Sequence, residues 1–227
     1  RPNTRGLAPR TPAMKRSADD ASPTGPGSST RKARAPVVLV DMDGTLADFD
    51  GRILSLLTKH HPSLALPKDE DRKFPLSKSF PVDSQSLVTD LFHQKGFFTS
   101  LEPIKGAVEA LHAMVAAGVT VFLCSAPLSK SPACAQEKVE WVAQHLGQEW
   151  VNRLILTRDK TLVRGDLLID DAPEAKGTAM TPLWEHVYFD QPYNRVGSGP
   201  KVDASRRRLS AWSDWKKIVP HSIAMKS

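Results

Sequence analysis

Cysteine is scarce: Cys124 and Cys134 stand alone among 227 residues, at a spacing that makes neither a C-x-x-C redox pair nor a zinc ribbon. That argues against a secreted disulfide framework and makes a reducing, intracellular compartment the expectation. Long apolar runs are lacking too. The longest are strand-sized, well short of the roughly 20 residues that a membrane-crossing helix needs. The seven histidines are scattered; His60-His61, ahead of Pro62, reads as a helix end rather than half of a zinc site. Neither G-x-G-x-x-G nor G-x-x-x-x-G-K-[ST] occurs, so dinucleotide and P-loop signatures are without support.

Charge of one sign is in excess, but only locally. Eight of the 31 Lys and Arg and two of the 25 Asp and Glu fall in residues 1–36, which leaves 23 of each in the rest of the chain. The net +6 therefore belongs to one end and does not mark a nucleic-acid surface. Residues 1–35 mix Pro, Gly, Ser, Thr and Arg around one Leu and one Met, too little apolar surface to offset ordering entropy. They read as a disordered basic tail. Lys15-Arg16 and Arg31-Lys32 resemble a weak nuclear signal and the Arg-rich leader a transit peptide, but Asp19-Asp20 and the missing amphipathic face favour a plain solvated tail.

From Pro36 the pattern changes. Short apolar, β-branched runs stand at 37–40 (VVLV), 119–123 (VTVFL), 153–156 (RLIL), 167–169 (LLI) and 186–189 (HVYF). Helical periodicity covers 106–117, through Val108, Leu111 and Val115, and 135–146, through Val139, Val142 and Leu146. Gly118 and Gly147 stand where helix C-caps belong. Continuous apolar strands alternating with helices imply an α/β fold, a Rossmann-like parallel sheet with helices on both faces. Residues 49–102 are too long for an ordinary βα loop and hold helix candidates of their own at 51–60 and 84–95. They read as a small inserted helical cap, between core segments 36–48 and 103–220, with 221–227 as a C-terminal tail. Leu209, Trp212, Trp215 and Ile218 or Val219 have the spacing of an amphipathic helix packed on the core, which we prefer to nucleic-acid stacking beside Arg206–Arg208.

Ligands of open α/β sheets bind beyond the carboxyl ends of the strands. Those ends read Asp41-Met42-Asp43-Gly44-Thr45, then Cys124-Ser125-Ala126-Pro127, then Thr157-Arg158-Asp159-Lys160-Thr161, then Asp170-Asp171. Each alone is ordinary, since Asp, Gly and Ser are turn formers and a loop lysine is solvated by default. Together they offer carboxylates, a hydroxyl and a cation to one rim. Converging carboxylates repel unless a hard cation neutralises them, and an all-oxygen donor set suits Mg²⁺. Ser125 and Lys160 would then hold a dianion that Gly44 lets backbone N–H groups approach, most simply a phosphate. Asp41 is placed to attack phosphorus, and Asp43 to act as acid and base. Cys124 reads as a small buried hydrophobe, while Cys134, near a helix start, is where a lowered thiol pKa is open in principle.

The stretches DMDGTLADF, FFTSLEPIKGAVEAL, LILTRDKTLVRGDLLIDD and RRRLSAWSDWK resemble the haloacid dehalogenase (HAD) superfamily of phosphotransferases, and within it the 5′(3′)-deoxyribonucleotidases. The resemblance implies Asp41 as nucleophile and metal ligand, Asp43 as acid/base and metal ligand through its carbonyl, and Asp171 as third ligand, with Asp170 supporting. It assigns phosphate to Asp43, Gly44, Ser125 and Lys160, with Lys138 the competing lysine. Phe49 would stack on a nucleobase, and Phe74, Pro75, Leu76, Ala126, Ser129 and Arg158 would line the rest of that pocket. Three departures stand out: Thr45 replaces the usual Val, Ser125-Ala126-Pro127 the usual Thr-Ser-Pro, and Phe74-Pro75-Leu76 stands in a cap stretch where the family places Trp, all five Trp lying at 141, 150, 184, 212 and 215. The resemblance implies a Mg²⁺-dependent phosphomonoesterase acting on deoxyribonucleoside monophosphates through an aspartyl phosphate. It suggests a homodimer and a cytoplasmic location, with the mitochondrion as alternative, and no membrane or nucleic-acid polymer as partner. The other readings are a phosphatase of another small phosphomonoester and an inactive nucleotide-binding homologue.

Overall fold

The structure, a computed structural model, describes residues 33–195, 197 and 202–224. The basic leader up to residue 32 lies outside the described residues, as do the last three. In chain order the elements are Ala33–Arg34 (β1), Val37–Val40 (β2), Phe49–His60 (α1), Gln85–His93 (α2), Ala107–Ala116 (α3), Thr120–Ser125 (β3), Cys134–His145 (α4), Leu154–Leu156 (β4), Leu167–Asp170 (β5), Glu185–Phe189 (β6), Arg208–Leu209 (β7), Trp215–Ile218 (α5) and Ile223–Ala224 (β8). None of the described helices is long and apolar enough to cross a membrane.

Six strands form one parallel sheet in the order β4-β3-β2-β5-β6-β7. Renumbered within the sheet by chain order this is 3-2-1-4-5-6, so the winding reverses between β2 and β5. That reversal opens a crevice beyond the carboxyl ends of β2 and β5, where Asp41 and Asp170-Asp171 stand. Register follows the apolar pattern: Val38 faces Val121 on one side and Leu167 on the other.

Alternation along the strands sorts their side chains to two faces. Val38, Val40, Val121, Leu123, Leu167 and Ile169 enter one large cluster with Ile53 and Leu57 of α1, Leu111 and Met114 of α3, and Trp141 and Val142 of α4. Each such fully buried aliphatic side chain contributes roughly 1.5–3 kcal/mol. Leu39, Cys124 and Leu168 point to the other face, where Trp184, Val163 and Ala175 cover them. Helices were expected on both faces, and this second one is covered by loops instead. The connections at 157–166 and 171–184 are short and broken by Gly165, Pro173, Gly177 and Pro182, which cannot sustain a crossover helix.

One further expectation needs correction. Residues 209–219 do not form one amphipathic helix: Leu209 joins β7, a 3-10 turn covers Trp212–Asp214, and α5 is a single turn. Their apolar side chains are nonetheless buried, so the spacing located a packed face but not its backbone. Of the tail expected over residues 1–35, Ala33 and Arg34 belong to the described residues as β1, which pairs antiparallel with β8, and the Arg34 guanidinium holds Asp166 at 2.5 and 2.7 Å. Backbone pairing with a partner so remote leaves no local period to read.

Residues 49–102 fold as α1, α2 and short 3-10 turns, and Leu76, Phe80, Val88 and Leu91 from this stretch enter the same large cluster as the sheet. Its ends are stitched together. The Asp48 N–H donates to Glu102 O at 2.9 Å, and the Ile104 N–H to Leu46 O at 2.7 Å.

Candidate active site

Beyond β2 the chain turns sharply. The Asp41 N–H still donates to Ile169 O of β5 at 2.9 Å, and the Met42 carbonyl then accepts from the N–H groups of Thr45, Leu46 and Ala47 at 3.2, 2.8 and 2.8 Å. Gly44 takes a φ of 74°, and a Cβ there would lie 2.7 Å from Asp171 Oδ2 and 2.8 Å from Tyr193 Oη. Glycine is thus required twice over, by conformation and by the close approach of Asp171.

Two lysines answer the carboxylates. Lys160 Nζ lies 2.8 Å from Asp41 Oδ1 and 2.6 Å from Asp170 Oδ2. Its position is set by Asp159, whose carboxylate accepts from the N–H of Thr161 at 3.0 Å and of Thr178 at 2.7 Å, and by Trp184 Nε1, which donates to the Lys160 carbonyl at 3.2 Å. Burial works against the Lys160 charge, but Asp170 and Asp41 outweigh it and hold the ammonium above its usual range. Lys138, on α4, is fully buried, donates to Asp43 Oδ1 at 2.6 Å and to Ser125 Oγ at 3.1 Å, and stands 4.8 Å over the Phe98 ring. Glu137 beside it fastens that ring's segment by accepting from the N–H groups of Gly96 and Phe98 at 2.6 and 3.0 Å. Glu137 and Lys138 are thus buried and paired rather than solvated on the helix surface. Both lysines reach the site, each on a different aspartate.

One carboxylate oxygen from each of Asp41, Asp170 and Asp171 lies within 4.8 Å of the others. The Asp43 carboxyl is not in this group, being turned to Lys138. Asp171 is held from both sides: Thr45 Oγ1 donates to Oδ1 at 2.7 Å and Tyr193 Oη to Oδ2 at 2.6 Å, while Asn194 Nδ2 donates to its carbonyl at 2.8 Å. Thr45 thus adds a donor that an apolar residue at this position would lack. Burial pushes the carboxyls of Asp41, Asp43 and Asp171 upward; Lys160 opposes this at Asp41 and Lys138 at Asp43, whereas Asp170 and Asp41 add to it at Asp171. Three buried carboxylates with oriented lone pairs and an all-oxygen donor set fit a hard divalent cation. Tyr193→Phe keeps the ring and removes one of the two donors to Asp171. It is expected to weaken divalent-cation binding about tenfold, measured by calorimetric titration, with Thr45 limiting the loss.

Asp41, Asp43, Gly44, Ser125, Lys160 and Asp171 open onto a cavity of about 220 Å³. Phe49, Phe74, Pro75, Leu76 and Ala126 line it, together with Asp50, Phe92, Leu128, Ala172 and Tyr193, which sequence reasoning did not single out. Ser129 and Arg158 do not line it, and both are exposed. Both cysteines are buried. Burial raises the Cys134 thiol, the reverse of the lowering left open at a helix start, and Cys124 is pushed up to about 11.

A family model described as 5′ nucleotidase, deoxy (pyrimidine), cytosolic type C protein matches residues 35–224. The human cytosolic 5′(3′)-deoxyribonucleotidase is 43% identical over 193 residues, 82% of this chain and 94% of that one. The human mitochondrial 5′(3′)-deoxyribonucleotidase is 40% identical over 193 residues, 82% of this chain and 83% of its own. Among solved structures, a HAD family hydrolase of Deinococcus radiodurans R1 with bound phosphate and sodium superposes with a TM-score of 0.53 at 17% identity, covering 81% of this chain and 94% of that one, a likeness of fold. The chain therefore belongs to the 5′(3′)-deoxyribonucleotidase family, and is an enzyme of the phosphomonoesterase class.

Proposed function

We propose that this chain hydrolyses the phosphate of deoxyribonucleoside monophosphates through a covalent phosphate on Asp41, with Mg²⁺ as the metal. The observation that carries the reading is the convergence of Asp41, Asp170 and Asp171, two of which line a cavity that Phe49, Phe74 and Phe92 also line. The carboxylates and Lys160 suit a dianion with its counter-ion, and the aromatic rings the flat apolar face of a base.

Phosphate-monoester hydrolysis is slow enough without catalysis to require accelerations approaching about 10²¹, and a covalent intermediate divides that barrier into two smaller ones. Asp41 attacks phosphorus, and Lys160 at 2.8 Å favours its ionised form against the opposing effect of burial. Asp43, held by Lys138, protonates the departing nucleoside oxygen and then takes a proton from the water that attacks the phosphoaspartate. Ser125 and the two ammonium groups carry the phosphoryl oxygens, and Gly44 leaves room for backbone N–H groups near them. The cation, held by Asp41 and Asp171 with Asp170 alongside, would offset the charge that builds on the phosphoryl oxygens.

Phosphate release from a panel of deoxyribonucleotides, ribonucleotides and sugar phosphates, with and without Mg²⁺, tests this. Turnover of deoxyribonucleotides that disappears on chelation is the expected result. Efficient turnover confined to sugar phosphates would replace the substrate, and nucleotide binding without turnover on any ester would replace the activity.

A further inference from the structure

The polar side chains that line the cavity nearly all have protein partners: Asp41 with Lys160, Asp43 and Ser125 with Lys138, and Asp171 with Thr45 and Tyr193. Asp50 is the exception. It lines the same cavity from the first turn of α1, is 9% exposed, and makes no side-chain hydrogen bond among the described residues. Its Oδ2 is sealed from solvent without a partner. Arg72, whose charge acts on it, is instead paired with Asp69 at 3.0 Å, and its own Nε is buried and unpaired.

Helix α1 does not need this carboxylate. The cap is supplied by Asp48, which accepts from the Gly51 N–H at 3.0 Å. A buried acceptor left unsatisfied destabilises the protein that carries it, and such groups persist where a ligand completes them. Asp50 lines the cavity next to its chain neighbour Phe49, with Phe74, Leu76 and Phe92 among the other lining residues.

We propose that Asp50 is a specificity-determining residue, its carboxylate accepting a hydrogen bond from a donor on the nucleoside end of the substrate, either a sugar hydroxyl or a base N–H. This rests on the nucleotidase reading above. Burial raises the carboxyl to about 7, so near neutrality a donor that binds there also draws the group into its ionised form. Esters without such a donor leave the acceptor unsatisfied and are selected against.

The test compares wild type with Asp50→Leu and the near-isosteric Asp50→Asn on four esters. These are deoxyuridine 5′-monophosphate, its 2′,3′-dideoxy analogue, its N3-methyl analogue, and p-nitrophenyl phosphate, which carries no donor. The ratio of kcat/KM for deoxyuridine monophosphate over p-nitrophenyl phosphate is expected to fall about 10- to 100-fold in Asp50→Leu. The thermal midpoint of the substrate-free protein should rise. The analogue that lacks the contacted donor should lose a similar factor with wild type and little more with the variant, which separates the sugar source from the base source. A ratio within twofold of wild type in both variants, or losses that simply add for both analogues, overturns the assignment. Wild-type protein that cleaves p-nitrophenyl phosphate but no nucleotide overturns the nucleotidase reading beneath it, a result the other outcomes cannot mimic.

Discussion

Asp41→Asn is expected to lower phosphate release at least about 10⁴-fold, on the scale seen when a covalent catalyst loses its nucleophile. The amide fills the same volume but cannot bond to phosphorus, and it removes one of the three carboxylates that can face a cation. It also takes one of two anions away from Lys160, which keeps Asp170 at 2.6 Å. Folding should not suffer. The Asp41 carboxyl is already pushed upward by burial, more than Lys160 can offset, so replacing it by a neutral group leaves the thermal midpoint unchanged or higher. Loss of turnover with retained stability is the signature to measure, and an Asn variant with a tenth or more of wild-type activity would end the covalent route.

Lys138→Met should be the more damaging change for the protein as a whole. Methionine matches the lysine stem over Phe98, but the ammonium that joins Asp43 to Ser125 is gone. Removing a preorganised cation from a developing phosphoryl charge costs about 10²–10³ in kcat. Breaking a buried pair costs about 3–5 kcal/mol when the remaining charge must stay ionised, and less when it can take a proton. Asp43 can take one. Its carboxyl is already raised by burial against the pull of Lys138, and it rises further once that pull is lost. A carboxyl whose folded pKa exceeds its unfolded value binds more protons in the folded state, so stability falls as pH climbs from the unfolded value through the folded one. The midpoint deficit of Lys138→Met should therefore be small near pH 5 and larger near pH 8, measured by thermal denaturation across that range. A deficit that is flat with pH would show that Asp43 is not the group left stranded.

How far the sequence could be read depends on whether a feature is local. The runs VVLV, VTVFL and LLI are strands because each is short, β-branched and bounded by polar residues, and their ends identify Asp41, Ser125 and Asp170 without any tertiary knowledge. The helix at Cys134–His145 follows from apolar spacing and from Gly147, which has a φ of 105° just past its end. Lys138 is opaque at that level. A charge next to Glu137 looks like a solvated helix face, and its burial is decided by Asp43, 95 positions earlier in the chain. Tyr193 and Asn194 escape notice for the same reason: a 3-10 turn after β6 carries them to Asp171, and nothing in Pro-Tyr-Asn announces an acceptor 22 or 23 residues away. Trp212 is a further case, since its indole Nε1 donates to the Thr45 carbonyl at 3.0 Å across 167 residues. The sheet could be drawn from periodicity, whereas the groups that orient its aspartates come from pairings that periodicity does not encode.

The paired backbone bonds at Asp48–Glu102 and Leu46–Ile104 bring the departure and return of the intervening chain to neighbouring points on the rim. A segment joined this way behaves as an exchangeable module: its length and outer residues can drift without re-threading a single strand. The constraint on such drift is internal, because Leu76, Val88 and Leu91 must still be matched by side chains of similar bulk. Changes within residues 49–102 can in that way accumulate without moving the strand ends that carry Asp41 and Asp170.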